Sequence, residues 1–264
     1  MTITSFVIIS SKYKTDDSRS TSDFTYSIGQ SLEVSAVAIK SVSIPHLQYN
    51  INQYNNRLDL YYGEVSPPVL TTITLPQGQY DMTTFLSALQ DLIRSSTGDN
   101  QTTVTQDAFS KRLVISGGSV PLKISTDQTT SPLAKIIGFG DTKGETYPSV
   151  ISNSITAPFL PNLAGIKNYY LSSRVLSQGY NGIFKNGQQI PLVMNIPITV
   201  PYGVVQHYDP QDIQLNLKKF SRKNNVQWID IKILNEDLDV VDLNGGDIEI
   251  VLKIYTTDNP LSEK

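Results

Sequence analysis

The sequence predicts a mainly β chain: a single jelly-roll β-sandwich interrupted by a small α+β module. Three observations carry this. Segments in which apolar and polar residues alternate recur towards both ends of the 264-residue chain, about eight of them outside its middle. One stretch in the middle switches to helical spacing. Clusters of Gly, Pro, Asn and Asp punctuate the remainder. The expected division is residues 1–64 as the first part of the sandwich with an N-terminal arm, 65–151 as the inserted module, and 152–264 as the second part.

Taken in order, Thr2 to Ile9 is a short β-rich run followed by a polar stretch to Asp23. The pair reads as a terminal arm and linker, draped on a neighbour rather than built into the core. Phe24 to Ile28 suits a strand. Val34 to Ile44 is nearly continuous in β-formers and stops at Pro45, the pattern of a strand covered on both faces. A polar loop from Tyr49 to Asn56 precedes Leu58, Leu60 and Tyr62, which alternate as a strand assigned to the sandwich.

Pro67-Pro68 then breaks the chain, Leu70 to Leu75 forms a strand, and Pro76-Gln77-Gly78 makes a turn. Asp81 is placed to cap a helix in which Met82, Phe85, Leu86, Leu89, Leu92 and Ile93 form one apolar stripe, with Gly98 and Asn100 ending it. Short strands follow at Thr102 to Thr105, Arg112 to Ile115 and Leu122 to Ser125, then a helical turn from Pro132 to Ile137. An amphipathic helix must bury its stripe, and these strands are its expected partners. Pro148 marks the exit.

Beyond it, Asn168 to Arg174 reads as a Tyr-rich strand. Ile190, Leu192, Met194, Ile196, Ile198 and Val200 alternate, but Pro191, Pro197 and Pro201 remove donors, so this is an edge strand or one broken by bulges. Ile213, Leu215 and Leu217 alternate again. From Val226 to Tyr255, Ile229, Ile231 and Ile233 alternate with Asp230 and Lys232. Ile248, Ile250, Leu252 and Ile254 do the same. Asn244-Gly245-Gly246 supplies the tight reversal between them, because Asn and Gly tolerate positive φ.

Composition limits function. Charged residues make up 17%, the net charge is -3 and the pI is near 5.4, which argues against coating nucleic acid. The chain has no Cys, so disulfides and thiolate metal sites are excluded. No apolar run reaches the roughly 18 residues of a membrane span, and MTITSFVIISSKYK lacks the layout of a signal peptide. A soluble, intracellularly made protein is expected. His46 and His207 are the only histidines and lie far apart, so the clustered histidines of a cupin oxygenase are missing. Gly138-Phe139-Gly140 with Gly144 has the wrong spacing for a phosphate loop. Asp237, Asp239 and Asp242 would need an oxygen ligand where Val241 stands to make an EF-hand, and read as a solvated turn. Asn100-Gln101-Thr102 matches a glycosylation triplet that matters only on secretion. Lys218, Lys219, Arg222 and Lys223 form the one basic cluster, a candidate contact for an acidic partner. No nucleophile meets a base, and neither an enzyme nor a cofactor is expected. Two alternatives are a carbohydrate-binding sandwich using Tyr169-Tyr170 or Tyr61-Tyr62, and a sandwich glycosidase, for which no carboxylate pair stands out.

Several segments together carry a resemblance: Ser22 to Tyr26 leading to Ile39 to Pro45 and Tyr49 to Ile51; Thr74 to Tyr80 before the helix; Ser131 to Ala134 through Ile137 to Phe139; and Asp242 to Asp247 before the last strand. The chain resembles the minor capsid (penton) proteins of virophages and related Polinton-like viruses. The resemblance implies a jelly roll with an insertion and assembly as a homopentamer at icosahedral capsid vertices. It also implies a major capsid protein of the same virus as partner, production in the host cytoplasm, and no catalytic residues. A closed ring further requires two different patches that meet head to tail.

Overall fold

The computed structural model describes residues 2–15, 20–63, 68–116, 118, 120–127, 129–140, 153–177, 182–211 and 217–257. Two compact units make up the chain. The first combines Met1–Gln48 with Ile166–Lys264, and the second is Tyr49–Gly165.

The first unit is a jelly-roll-like β-sandwich organised by one strand, β2 (Asp23–Pro45), which merges the two strand segments read from the sequence. β14 (Glu249–Thr257) lies along one edge of β2, from Ala36 to Ser43. β13 (Lys218–Leu234) and then β12 (Val205–Tyr208) lie along the other. Val37 pairs with both Lys218 and Ile254, which places β13 and β14 on opposite edges. β1 (Thr2–Ser10) pairs with the outer edge of β14, and β9 (Asn168–Ser172), β11 (Gln188–Pro197) and β10 (Gly182–Lys185) continue outward from β13.

Ile229, Ile231 and Ile233 of β13 nevertheless share one buried cluster with Ile250, Leu252 and Ile254 of β14. Ile229 and Ile231 lie opposite Tyr26 and Phe24 at one end of β2, whereas Ile250 to Ile254 lie opposite Val42 to Val37 towards the other, so one shared core requires the sheet to fold over into a sandwich. Burial along β2 is continuous from Ala36 to Ile39, as its unbroken run of β-formers predicts.

Two expectations change here. β13 and β14 do not form a hairpin: residues 235–248 cross between the layers, and β14 slots between β1 and β2. The reversal at Asn244-Gly245 exists, with φ of 48° and 80° and a bond from Gly246 N–H to Leu243 C=O, but it sits inside that crossover. The N-terminal arm is a strand in uninterrupted register with β14 for nine residues, with Ile9 wholly buried. Of the two readings of β11, an edge strand or one broken by bulges, the second holds: β11 is flanked on both sides and its ladder is irregular between Leu192 and Met194. Its partner β10 is joined by an Asn186-Gly187 turn at φ 51° and 77°, a hairpin signal the sequence reading passed over. The strand expected at Ile213 to Leu217 lies mostly outside the described residues.

The second unit holds two three-stranded sheets. One orders β4 (Val69–Thr74), β3 (Arg57–Tyr62) and β7 (Leu122–Ile124); the other β5 (Thr103–Gln106), β6 (Leu113–Ser116) and β8 (Ser154–Thr156). Helix α1 (Met82–Thr97) starts at Asp81, which accepts from Thr84 N–H while Thr84 Oγ1 accepts from Asp81 N–H, and it ends at left-handed Gly98. Phe85, Leu89 and Ile93 are buried, each contributing about 1.5–3 kcal/mol. They pack with Leu58, Leu60, Ile115 and Ile155, and with Leu133 and Ala134 of helix α2 (Leu133–Ile136).

The limits of this unit therefore move from 65 and 151 to 49 and 165. β3 pairs with β4 and β7, and β8 pairs with β6, so both flanking strands belong to the module's sheets. Alternation has the same period in either unit and carries no information about which sheet a strand joins. At the root of the unit, buried Asn50 ties the first residues to the last. Its Nδ2 donates to Tyr80 C=O at 2.8 Å and Leu163 C=O at 2.9 Å, and its Oδ1 accepts from Tyr80 N–H at 2.9 Å.

Candidate interaction surfaces

Of the basic cluster, Lys218 is used internally. Its Nζ donates to Val175 C=O at 2.5 Å and sits 4.9 Å from the Phe220 ring centre. Burial lowers the pKa of this ammonium, and the nearby Asp230 carboxylate opposes that shift. Asp230 also accepts from the N–H groups of Arg174 and Val175, fixing the turn after β9. Lys219 is exposed on β13, whereas the side chains of Arg222 and Lys223 lie outside the described residues.

The remaining sequence candidates have structural roles. His46 Nδ1 lies 3.1 Å from Val200 C=O, with its ring edge-on to Tyr169 and Tyr202. His207 Nδ1 lies 2.9 Å from Ser43 Oγ across the β12–β2 ladder. The N–H groups of Gly138, Phe139 and Gly140 all donate to carbonyls of α2, so they make no phosphate cradle; Gly144 lies outside the described residues. A Cβ on Gly138 would come within 2.3 Å of Phe159 C=O, which is why glycine stands there.

The acidic turn is divided among separate tasks. Asp239 pairs with Lys185 at 2.7 Å, Glu236 accepts from Lys167 and Asn168 N–H, and Asp242 accepts from Asn244 N–H. No group of three or more His, Cys, Asp or Glu able to hold a metal occurs among the described residues. The tyrosine pairs make no sugar platform, because neighbours in a strand face opposite ways. Tyr169 is fully buried, and burial pushes its phenol pKa well above the ordinary value.

What the first unit displays instead is apolar surface at the two ends of its strand path. At one end, Phe6 and Ile8 on β1 are 58% and 56% exposed. They share a face with Val251 and Lys253 of β14, and Lys40 Nζ lies 4.9 Å above the Phe6 ring. The outer edge of β1 pairs with no strand among the described residues. A long, regular edge strand with exposed large side chains is a template for association. At the other end, the β10–β11 hairpin exposes Ile183 and Phe184, the latter by 71%, beside Lys185 and the acidic turn at 236–239. Sequence reasoning missed these residues. The signal was present in Phe6-Val7-Ile8-Ile9, a run too apolar for a free arm.

No protein-family model matches the chain, and no curated protein is similar enough in sequence to match. Solved structures do. The crystal structure of the mavirus penton protein aligns over 97% of this chain and all of its own, at 10% identity and a TM-score of 0.51. A chain of the Sputnik virophage, from its cryo-EM structure, aligns over 96% of this chain and 97% of its own at 14% identity, with a TM-score of 0.41. The mainly antiparallel sandwich with its organising β2 strand thus has the fold of the mavirus penton protein.

Proposed function

We propose that this chain is a structural protein of an icosahedral viral capsid, assembling head to tail into a closed ring that forms a vertex. The observation that carries the reading is the unpaired β1 edge bearing Phe6 and Ile8, on a chain whose fold is that of a penton protein. Ring closure needs two different patches on one subunit. The β1 face with Lys40, Lys253 and Glu249 and the β10–β11 hairpin beside Glu236, Asp237 and Asp239 are different, both apolar, and the second the more acidic. Burying the half of Phe6 and Ile8 that is still exposed contributes about 1–1.5 kcal/mol each at every contact. A ring of five follows from the penton likeness, with a major capsid protein of the same virus around it and production in the host cytoplasm. Lys219, Arg222 and Lys223 are then the basic residues offered to an acidic neighbour. The role is non-enzymatic.

The test is native mass spectrometry of the chain, alone and with a candidate major capsid protein, for wild type and Phe6→Asp/Ile8→Asp. Wild type should form a closed ring or enter vertices, and the variant should remain folded but monomeric. A variant that assembles as wild type does would overturn the β1 contact. A wild type that stays monomeric and never occupies vertices would overturn the capsid reading.

A further inference from the structure

The most exposed large apolar side chain among those described, Phe109 at 97%, lies in the second unit, at the tip of the β5–β6 hairpin. Nothing in the fold requires it there, and the loop presenting it is firmly tied. Asp107 Oδ1 accepts from Phe109 N–H at 3.2 Å, Ser110 N–H at 2.6 Å and Ser110 Oγ at 2.7 Å. Asp107 N–H donates to Arg112 C=O, Lys111 N–H donates to Asp107 C=O, and Gln106 Nε2 donates to Lys111 C=O. The bonds from Ser110 N–H and its hydroxyl, then that from Phe109 N–H and the Lys111 charge, hold the Asp107 carboxyl below its ordinary range. The tip is therefore a held aromatic plug rather than a loose loop.

Its flanks are basic. Lys111 and Arg112 are exposed, and Asp107 is the sole carboxylate from Thr103 to Ser116, its Oδ1 already taken up by the loop's own donors. The hairpin is thus locally cationic on a chain of net charge -3.

We propose that the Asp107–Arg112 tip docks on an anionic phospholipid bilayer, with Phe109 entering the interfacial zone and Lys111 and Arg112 meeting lipid phosphates. The choice of lipid over protein rests on area. A hairpin tip with one large apolar side chain between polar and cationic neighbours offers no extended apolar face from which an interface of roughly 1,200–2,000 Å² could be built. A bilayer needs no matching surface, only an apolar tip and a cationic flank. This is attachment to a surface and not insertion of a span; no helix among the described residues is long and apolar enough to cross a membrane. The proposal is independent of ring formation, although several tips on one ring would bind together more tightly.

The test is flotation of the full chain with millimolar phosphatidylcholine vesicles, with and without phosphatidylserine. Wild type should float only with the anionic lipid. Phe109→Ser should weaken partitioning at least about tenfold, Lys111→Gln/Arg112→Gln by on the order of twentyfold, and Phe109→Trp should retain it. All variants should melt as wild type does, since these side chains lie outside the core. Equal flotation on neutral vesicles, or an unchanged Phe109→Ser variant, overturns the proposal. So does a wild type that ignores vesicles while Phe109→Ser alone loses incorporation into a shell; the tip would then be a plug for a protein socket.

Discussion

Replacing Asn50 with alanine tests whether the second unit is held closed at its root by one side chain. Asn50 is 5% exposed and makes three side-chain hydrogen bonds to backbone, two to Tyr80 and one to Leu163. At about 0.5–1.5 kcal/mol net for each bond, their loss costs about 1.5–4.5 kcal/mol. For a unit of this size, about 3 kcal/mol lowers the melting temperature by on the order of 10 °C. Thermal melts followed by circular dichroism measure this, and hydrogen exchange at Tyr80 N–H locates it. Asn50→Asp sharpens the test. The acceptor for Tyr80 N–H is kept, but a carboxylate now faces the Tyr80 and Leu163 carbonyl oxygens. Its folded pKa should rise above the ordinary value of about 3.9. The linked stability is then fully present below that value and lost as pH rises through the folded pKa. Asn50→Asp should therefore recover stability in acid, and Asn50→Ala should not. An alanine variant melting within about 1 °C of wild type would refute the role assigned to this side chain.

Three further outcomes are expected. Replacing residues 49–165 with a Gly/Ser linker should leave a folded, cooperative β unit whose circular dichroism lacks the α1 signal. Replacing only 65–151 should give an insoluble protein, because β3 and β8 lose their partners and Leu58, Leu60 and Ile155 lose their core; the opposite solubilities would show the unit limits to be wrong. Asp81 is held below its ordinary pKa of 3.8 chiefly by bonds from Thr84 N–H and its hydroxyl. A depressed folded pKa means stability present above the ordinary value and lost as pH falls through the folded one. The difference in helix melting between wild type and Asp81→Ala should then narrow as pH drops below 3.8, and a constant difference would contradict the carboxylate cap.

The sequence by itself determined whatever depends on neighbours a few residues apart. Helix α1 was legible from Asp81 to Gly98, because a cap, a 3.6-residue stripe and a glycine end are local features. So were most strands, the end of β2 at Pro45, and the turn at Asn244-Gly245. That the chain carries only two histidines and no cysteine needed no structure at all. The tertiary structure alone decided which strand joins which sheet. Ile229 to Ile233 and Ile248 to Ile254 alternate alike, yet β13 and β14 lie on opposite edges of β2, a choice made by the two free edges of one 23-residue strand. Leu58 and Leu60 likewise alternate as any sandwich strand would, but are buried in the second unit. The surfaces followed the same rule. Lys218 reads as a free cation until Val175 C=O and Asp230 appear beside it, and only the folded chain shows Phe6, Phe184 and Phe109 left exposed. Composition states that an apolar side chain prefers burial; only the folded chain shows which ones it has left for another surface to bury.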